Sequence, residues 1–238
     1  MIHREDLGAV RLLTLDRPDA RNAFDSALYR ATAEALDEAR ADDRVHVVVL
    51  TGSGGSFSAG QDLKEMARLA AGEPGVASAF PLLLEALQSF DKPLVAAVNG
   101  VAVGIGFTML PHCDLVFAAD SARFRTPFAP MGVAPEAGSS YLFPARMGGQ
   151  RAAYTLLTGE WLSAQEAVEW GIAFSRHPDE ELLPHALDVA QRVASSPLAA
   201  LRAIKRTVRA AELPAIEAAR TREESEFATL LAGFRNPV

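Results

Sequence analysis

Short apolar runs that end at glycine-containing turns are the feature of this chain that most restricts the folds open to it. The run at 45–50 ends in a Thr-Gly-Ser-Gly-Gly turn, and the run at 93–98 ends in Asn-Gly. Runs of this length that are apolar and bounded by turn residues are typical of buried strands. The same criteria predict further strands at 9–15, 113–119 and 123–126.

Helical periodicity occupies the segments between these runs. Asp25 or Ser26 can cap a first helix. Its apolar residues recur at three- and four-residue intervals on one face: Leu28, Ala31, Ala35, Leu36 and Ala39. Further helices are predicted from Asp62, over 76–90 and over 104–110. Because strands alternate with helices, the sequence predicts an α/β core.

Beyond residue 148 the strand pattern nearly disappears. Helices are predicted at 152–157, 164–170, 180–194, 198–211 and 216–231, several of them preceded by Ser or Pro in capping positions. Their faces are rich in Leu and Ala and need a surface to pack against. The last third of the chain is therefore expected to be helical.

Charge and terminal composition exclude several classes of partner. The chain has 238 residues and a formal net charge of −7, with a sequence pI of about 5.3 and no polybasic run. Nucleic acid is therefore not an expected partner. Segment 1–11 has charges of both signs, and no apolar stretch approaches the roughly 18 residues that a membrane span needs. We expect a cytoplasmic protein with no membrane partner.

Cysteine and metal-ligand chemistry is sparse. Cys113 is the only cysteine, which rules out an internal disulfide and a thiolate metal cluster. No metal is expected, because the other candidate metal ligands do not have a metal-binding spacing. These candidates are Asp62, Asp114, His46 and His112.

The turn at 57–63 leads directly into a predicted helix. Such a turn leaves backbone N–H groups unpaired at the helix start, where an anion can bind. Gly55 and Gly60 have the separation of a phosphate-binding loop, but Gln61-Asp62 stands where that loop needs Lys and Ser or Thr. A purely structural turn remains an alternative here.

A second glycine-containing turn follows the strand at 93–98. Gly104 and Gly106 do not complete a dinucleotide-binding fingerprint, because Met109 stands where its third glycine belongs. Two strand-to-helix turns, each with a backbone N–H, suit an oxyanion hole, which needs two fixed donors facing one developing negative charge.

Several motifs occur together in an order that is typical of one superfamily. They are Ser-Ala-Gly-Gln-Asp-Leu at 58–63, Ala-Val-Asn-Gly at 97–100, Cys113-Asp114, Arg17-Pro18 with Asn22-Ala23, and Leu157-Thr158-Gly159 with Ser163-Ala164, Ala167 and Gly171. Together they resemble the signature of the crotonase (enoyl-CoA hydratase/isomerase) superfamily, and the resemblance covers nearly the whole chain.

The resemblance implies a fold, a substrate class and two donors. The fold is a crotonase-like spiral of ββα units, here at 1–190, with a C-terminal helical trimerisation region at 191–238, so a homotrimer or hexamer is expected. The substrate is an acyl-CoA, which brings its own coenzyme A, and no separate cofactor is expected. The oxyanion-hole donors are the backbone N–H groups of Gln61 and of Ile105, the residue after Gly104.

The choice of reaction depends on the carboxylates. Hydratases of the superfamily use two glutamates to activate water, and the matching positions here hold Thr108 and Phe128, neither of which is a general base near neutral pH. The stretch 124–144 resembles the peroxisomal type of Δ3,Δ2-enoyl-CoA isomerase, whose catalytic glutamate matches Glu136. The resemblance thus implies that Glu136 alone converts 3-enoyl-CoA to 2-trans-enoyl-CoA. Without the resemblance, the favoured interpretation of Glu136 is a structural one, because Pro-Glu is a common first-turn pair of a helix.

The remaining candidates are substrate-binding residues. Arg21 and Lys205 are basic residues that could meet the adenosine and phosphate end of coenzyme A. The other expected substrate-binding residues are Ala23, Ala59, Gly60, Asp62, Leu63, Met66, Gly104, Phe128 and Val133. Met66, Phe128 and Val133 are among the apolar residues that could line an acyl pocket, together with Leu69, Phe80, Leu84 and Phe143. For each apolar residue, ordinary core packing is the competing role.

Two other functions stay open at this point. The first is another reaction of the superfamily, such as hydration or isomerisation of an aromatic-ring-derived acyl-CoA. The second is acyl-CoA binding without catalysis, which the missing hydratase carboxylates make credible.

Overall fold

A computed structural model of the chain describes residues 1–74 and 77–231, apart from the side chain of residue 231. In chain order the strands are β1 (Ile2–Leu7), β2 (Val10–Leu15), β3 (Val47–Gly52), β4 (Ser56–Ser58), β5 (Leu94–Val98), β6 (Val101–Val103), β7 (Leu115–Ala119), β8 (Arg123–Arg125), β9 (Leu162–Ser163) and β10 (Ser175–His177). The helices are α1 (Ser26–Ala41), α2 (Leu63–Ala70), α3 (Phe80–Ser89), α4 (Ile105–Thr108), α5 (Phe128–Met131), α6 (Ser139–Met147), α7 (Gly149–Thr158), α8 (Ala164–Glu169), α9 (Asp179–Ala194), α10 (Leu198–Ala210) and α11 (Leu213–Leu231).

The larger sheet contains six strands in the order β1-β2-β3-β5-β7-β10. Strands β1 and β2 pair antiparallel, and all the other pairs in this sheet are parallel. Strands β3 and β5 are buried over their whole length. This explains their continuous apolar sequences, because a parallel strand that is covered on both faces has no solvent-facing side. Helix α9 packs against β3, β5 and β7.

The smaller sheet has the order β4-β6-β8-β9. The chain repeats a unit of one strand in the larger sheet, one short strand in the smaller sheet and a helix. Each of β3, β5 and β7 passes through a tight turn into a short strand of this sheet and then into a helix. Glycine is required where these turns stack: a Cβ on Gly100 would lie 2.2 Å from the carbonyl oxygen of Gly55. Asn99 links the turns, since its Nδ2 donates to the carbonyl oxygens of Gly52 and Gly54 at 2.8 Å. The repeats therefore place their strand-to-helix turns side by side.

The predicted α/β class and the helical last third are confirmed, and the larger differences have local causes. Strand β1 was not predicted, because Arg4, Glu5 and Asp6 are charged and exposed along it. It is the edge of the sheet, where charged residues prevent unwanted strand pairing. Helix α6 was not predicted either, and it contains Pro144.

Several boundaries also differ. The helix predicted at 104–110 is the single turn α4 followed by a 3-10 turn at Leu110–His112. The helix predicted from 76 begins at Phe80 as α3, and residue 76 itself lies outside the described residues. The expected domain boundary at 190 falls inside α9, and the end of the C-terminal region, 232–238, also lies outside them.

No helix in 1–74 or 77–231 is both long enough and apolar enough to span a bilayer.

Candidate active site

A cavity of about 370 Å³ lies between α2, α3 and α11. Its walls are mainly apolar side chains, among them Leu63, Met66, Leu69, Phe80, Leu84 and Phe227. The β4–α2 turn, the β6–α4 turn and the segment that precedes α6 reach the same cavity. The glycine-containing turns of two successive repeats therefore border one apolar space.

Two backbone amides at these turns are free to donate. The N–H of Gln61 precedes α2, whose N-cap is Asp62, and the N–H of Ile105 is the first of α4. Within the described residues, neither N–H donates a hydrogen bond to backbone or side chain. Unpaired N–H groups at helix starts are donors for an anionic oxygen. Both residues line the cavity, as the oxyanion-hole prediction requires.

Close contact between two glycines keeps these amides together. Gly60 has φ +91°, and a Cβ there would lie 2.7 Å from the carbonyl oxygen of Val103. Gly104 has φ +50°, and a Cβ there would lie 3.9 Å from Cα of Gly60. A side chain at Gly60 would therefore force the two turns apart.

Glu136 reaches the cavity from the segment between α5 and α6. Thr108 donates from Oγ1 to Glu136 Oε1, while Glu136 Oε2 is buried and has no partner among the described residues. The competing interpretation, a first-turn helix acid, is wrong, since α6 begins three residues later, at Ser139. The structure thus places an acid with one free oxygen in an apolar cavity.

The surroundings of Glu136 favour its protonated form. Burial raises its pKa from 4.5 to about 8, the Thr108 hydrogen bond opposes this rise, and the nearby carboxylate of Glu223 adds to it. Burial disfavours the charged form of an acid, whereas a hydrogen bond to that form stabilises it. A carboxyl group with a pKa near neutral pH can both accept and return a proton.

Gln61 offers a side chain as well as its backbone amide. Tyr29 donates its hydroxyl to Gln61 Oε1 at 2.8 Å, and Gln61 Nε2 is buried without a partner in the described part of the chain. Tyr29 is itself fully buried and stacks on Phe24 with ring centroids 4.8 Å apart. Burial raises the pKa of the Tyr29 hydroxyl well above 10, so it stays protonated and donates.

Most of the site residues expected from sequence meet at this cavity. Those that line it are Ala59, Gly60, Gln61, Leu63, Met66, Gly104, Ile105, Phe128, Val133 and Glu136. Met66, Phe128 and Val133 pack together as a separate apolar cluster. Phe143 instead packs in the main core against Phe107, with ring centroids 4.8 Å apart.

Arg21, Ala23 and Asp62 lie beside the cavity rather than on its wall. The carbonyl oxygen of Arg21 accepts from Ala59 N–H at 2.9 Å, and the side chain of Arg21 is exposed. Asp62 accepts from Arg17 Nη1 at 2.7 Å, and Arg17 Nη1 also donates to the carbonyl oxygen of Ala23. Ala23 and Asp62 therefore support the turn that presents the Gln61 amide.

The structure corrects the expectation for Lys205. Its side chain is buried, and its Nζ lies 2.8 Å from Asp114 Oδ2 and donates to the carbonyl oxygen of Lys92 at 2.7 Å. An ammonium group held in this way is not available to a phosphate. Lys205 is a structural ion-pair residue that anchors α10.

Sequence reasoning missed Tyr29 and the part of α11 that closes the cavity. Arg220, Glu223, Glu224, Phe227 and Ala228 line it from that helix. Tyr29 follows Leu28 on the buried face of α1, so a buried hydroxyl that needs a partner was a readable signal. Nothing local in the sequence marks Glu223, because its partners lie more than 80 residues earlier.

Comparison with known proteins agrees with this geometry. A family model described as "Enoyl-CoA hydratase/isomerase" matches residues 5–233. The chain is 38% identical over 227 residues to 2,3-dehydroadipyl-CoA hydratase of Escherichia coli (strain K12), covering 94% of this chain and 87% of that protein. It is 36% identical over 229 residues to enoyl-CoA delta isomerase 2 of Rattus norvegicus, covering 94% of this chain and 58% of that one.

A solved structure supports the same relationship. The enoyl-CoA hydratase/isomerase from Pseudoalteromonas atlantica T6c superposes with a TM-score of 0.92 at 36% sequence identity, covering 97% of this chain and 91% of that chain. The matched part of this chain includes every residue named above as lining the cavity.

Proposed function

The chain belongs to the enoyl-CoA hydratase/isomerase family, and on that premise we propose that it is the isomerase kind of crotonase-type acyl-CoA enzyme. The proposed reaction converts a 3-enoyl-CoA to the 2-trans-enoyl-CoA, with Glu136 as the single acid and base. Hydratases, isomerases and dehalogenases all occur among its relatives, so the argument for one reaction depends on the residues of the cavity.

The environment of Glu136 supports this choice more than any other single observation. One oxygen of its carboxyl group is held by Thr108. The other has no partner among the residues that the structure describes, and it lies in the apolar cavity that the Gln61 and Ile105 amides also border. Among the described residues, Glu223 and Glu224 are the other acids that line the cavity. Both oxygens of Glu223 already accept backbone N–H groups, so Glu136 is the better placed base.

The reaction needs one proton to move between two carbons. Ionised Glu136 removes a proton from C2 of the thioester, and the electron pair delocalises onto the thioester oxygen as a dienolate. The N–H groups of Gln61 and Ile105 stabilise that oxygen, and losing one such donor raises a barrier by about 3 kcal/mol in related oxyanion holes. Protonated Glu136 then returns the proton to C4. Atoms and electrons balance without a redox partner or separate cofactor.

The Thr108 hydroxyl can hydrogen-bond to Glu136 in both its ionised and its protonated form. It donates to the ionised carboxylate, and its Oγ1 also lies 3.2 Å from the carbonyl oxygen of Gly104. When Glu136 is protonated it can donate to Thr108, which then donates to Gly104. The base therefore keeps a hydrogen-bond partner on both sides of the proton transfer.

Hydration is less well supported because it requires groups that hold a water molecule. Phe128 packs with Met66 and Val133 at the cavity wall, and Thr108 is committed to Glu136 and Gly104. Hydratases of the superfamily use two glutamates, but Phe128 and Thr108 stand at the two matching positions. Within the part of the chain that the structure describes, Glu136 is then the one carboxylate placed to act as a base. The mainly apolar wall also favours an apolar acyl group.

The test compares purified protein on 3-enoyl-CoA and on 2-enoyl-CoA. We expect isomerisation of the first to exceed hydration of the second, and Glu136→Gln to abolish isomerisation. Glu34→Gln, an exposed charge deletion on α1, is the matched control and should keep full activity. Efficient hydration would contradict the proposal. So would acyl-CoA binding with no turnover and no exchange of the C2 proton with solvent deuterium.

A further inference from the structure

The loop that contains Glu136 has an unusual backbone. Ala137 has φ +60° and Gly138 has φ +74°, both in the left-handed region. A residue with a Cβ, such as Ala137, adopts this conformation only when its surroundings enforce it. The turn is closed by the N–H of Ser139, which donates to the carbonyl oxygen of Glu136 at 3.0 Å.

Contacts from two other elements hold this loop. Neutral His112 donates from Nε2 to the carbonyl oxygen of Ala137 at 2.8 Å, and burial lowers the pKa of His112 to about 4. On the opposite side, Glu223 of α11 accepts from Gly138 N–H at 2.7 Å through Oε2 and from Ser140 N–H at 2.8 Å through Oε1. Both carboxylate oxygens of Glu223 are therefore used on the loop and on the first turn of α6.

Helix α11 packs tightly against this loop. A Cβ on Gly138 would lie 3.0 Å from Ile216 Cγ2, so the helix packs directly on the loop. Glu223 itself is buried, with 5% of its surface exposed. A buried carboxylate that accepts two N–H groups is among the stronger hydrogen-bonded contacts in a protein.

We propose that Glu223 is a positioning residue, through which the C-terminal helix holds the Glu136 loop in the conformation that aims the base at the substrate. This inference rests on the proposed function of Glu136 as the acid and base. Glu223 acts on the reaction only through Glu136, by fixing the backbone two residues after it. The C-terminal helix thus contributes to catalysis as well as to the cavity wall.

The charge of Glu223 acts in the same direction. Its carboxylate is one of the causes that raise the pKa of Glu136, after burial. The other charged or titratable side chains that line the cavity in the described part of the chain are Tyr29, Arg220 and Glu224. Removing the Glu223 charge should therefore lower the pKa of Glu136 toward its ordinary value.

A simpler role is that Glu223 only stabilises α6 as a distant N-terminal cap. That role predicts a loss of folded protein and of activity in proportion, with kcat per folded molecule unchanged once the pH shift caused by the lost charge is allowed for. A positioning role predicts a lower kcat at the pH optimum in protein that is folded. The two roles therefore give different kinetic results.

The experiment uses Glu223→Gln with Glu226→Gln as the matched control, an exposed charge deletion three residues later on the same helix. We expect Glu223→Gln to lower kcat by about 100-fold, the cost of a misplaced catalytic group, with KM unchanged. We also expect the acid limb of its pH profile to move below pH 8. Glu223→Asp, which keeps the charge but shortens the reach to the N–H groups of Gly138 and Ser140, should also lower kcat.

Other outcomes overturn the proposal. A wild-type kcat per folded molecule at the pH optimum of Glu223→Gln would do so, whether or not the pH profile moves. If Glu223→Gln does not fold, Glu223→Asp, which keeps the charge but shortens the reach, is judged by kcat per folded molecule. If the wild type does not isomerise, the proposed function fails, and the ¹³C NMR shift of the Glu136 carboxyl group in Glu223→Asp tests the positioning role separately, with an unchanged shift overturning it.

Discussion

Replacing Thr108 with valine isolates the one hydrogen bond that favours the ionised form of Glu136. Thr108 is fully buried, and valine has nearly the same shape without the hydroxyl. A hydrogen bond to a charged group contributes about 1.5–3 kcal/mol, and one pKa unit corresponds to about 1.4 kcal/mol. Because protonated Glu136 can also donate to Thr108, a neutral hydrogen bond of about 0.5–1.5 kcal/mol is lost as well. The pKa of Glu136, about 8 in the wild type, should therefore rise by roughly one unit in Thr108→Val.

The assay is the pH dependence of kcat/KM for 3-enoyl-CoA isomerisation. In the proposed reaction the ionised form removes the C2 proton, so the wild-type rate should rise with pH through about 8. Thr108→Val should be about 10-fold slower at neutral pH and should recover at alkaline pH. Thr108→Ser keeps the hydroxyl and should keep the wild-type profile. An unchanged or lower midpoint in Thr108→Val would refute the reasoning.

Three further predictions test the acid, the oxyanion hole and a structural ion pair. Burial raises the pKa of Glu136 from 4.5 to about 8, so the stability that its proton gives the fold is lost as pH rises through this window. Glu136→Gln, which resembles the protonated form, should therefore unfold at a higher temperature than the wild type, and the difference in unfolding temperature should grow up to pH 8. Gly60→Ala, which places a Cβ 2.7 Å from the carbonyl oxygen of Val103, should lower kcat by about 10²-fold or more in protein whose circular dichroism is native. Lys205→Met, which removes the ion pair with Asp114 and the hydrogen bond to the carbonyl oxygen of Lys92, should lower the free energy of unfolding in urea by about 1 kcal/mol and leave KM unchanged.

The parts of the fold that were predictable have local causes. Strands β3 and β5 are buried on both faces, so their sequences are continuous apolar runs, and the turns after them need glycine because they stack. These same turns present the amides of Gln61 and Ile105, the two positions that the family resemblance gives as oxyanion-hole donors. Periodicity was equally informative for α9, α10 and α11.

The contacts that tune Glu136 were not predictable, because they form between distant parts of the chain. Thr108 lies 28 residues before Glu136, and its hydrogen bond depends on how α4 packs against the segment before α6. Glu223 lies 85 residues after Gly138 and looks in sequence like any acid on an amphipathic helix. The family resemblance points to Glu136 as the candidate carboxylate, whereas local pattern alone favours a helix-start acid; the groups that set its pKa and orientation require the tertiary structure.

The central claim is that one carboxyl group, Glu136, carries the proton from C2 to C4. The most direct measurement follows deuterium from a 3-enoyl-CoA labelled at C2 during single-turnover isomerisation in ordinary water. A single acid and base shielded in an apolar cavity predicts that part of the label appears at C4 of the 2-enoyl-CoA product, and that Glu136→Gln abolishes this transfer. Complete loss of the label to solvent while Glu136→Gln retains activity would contradict the account.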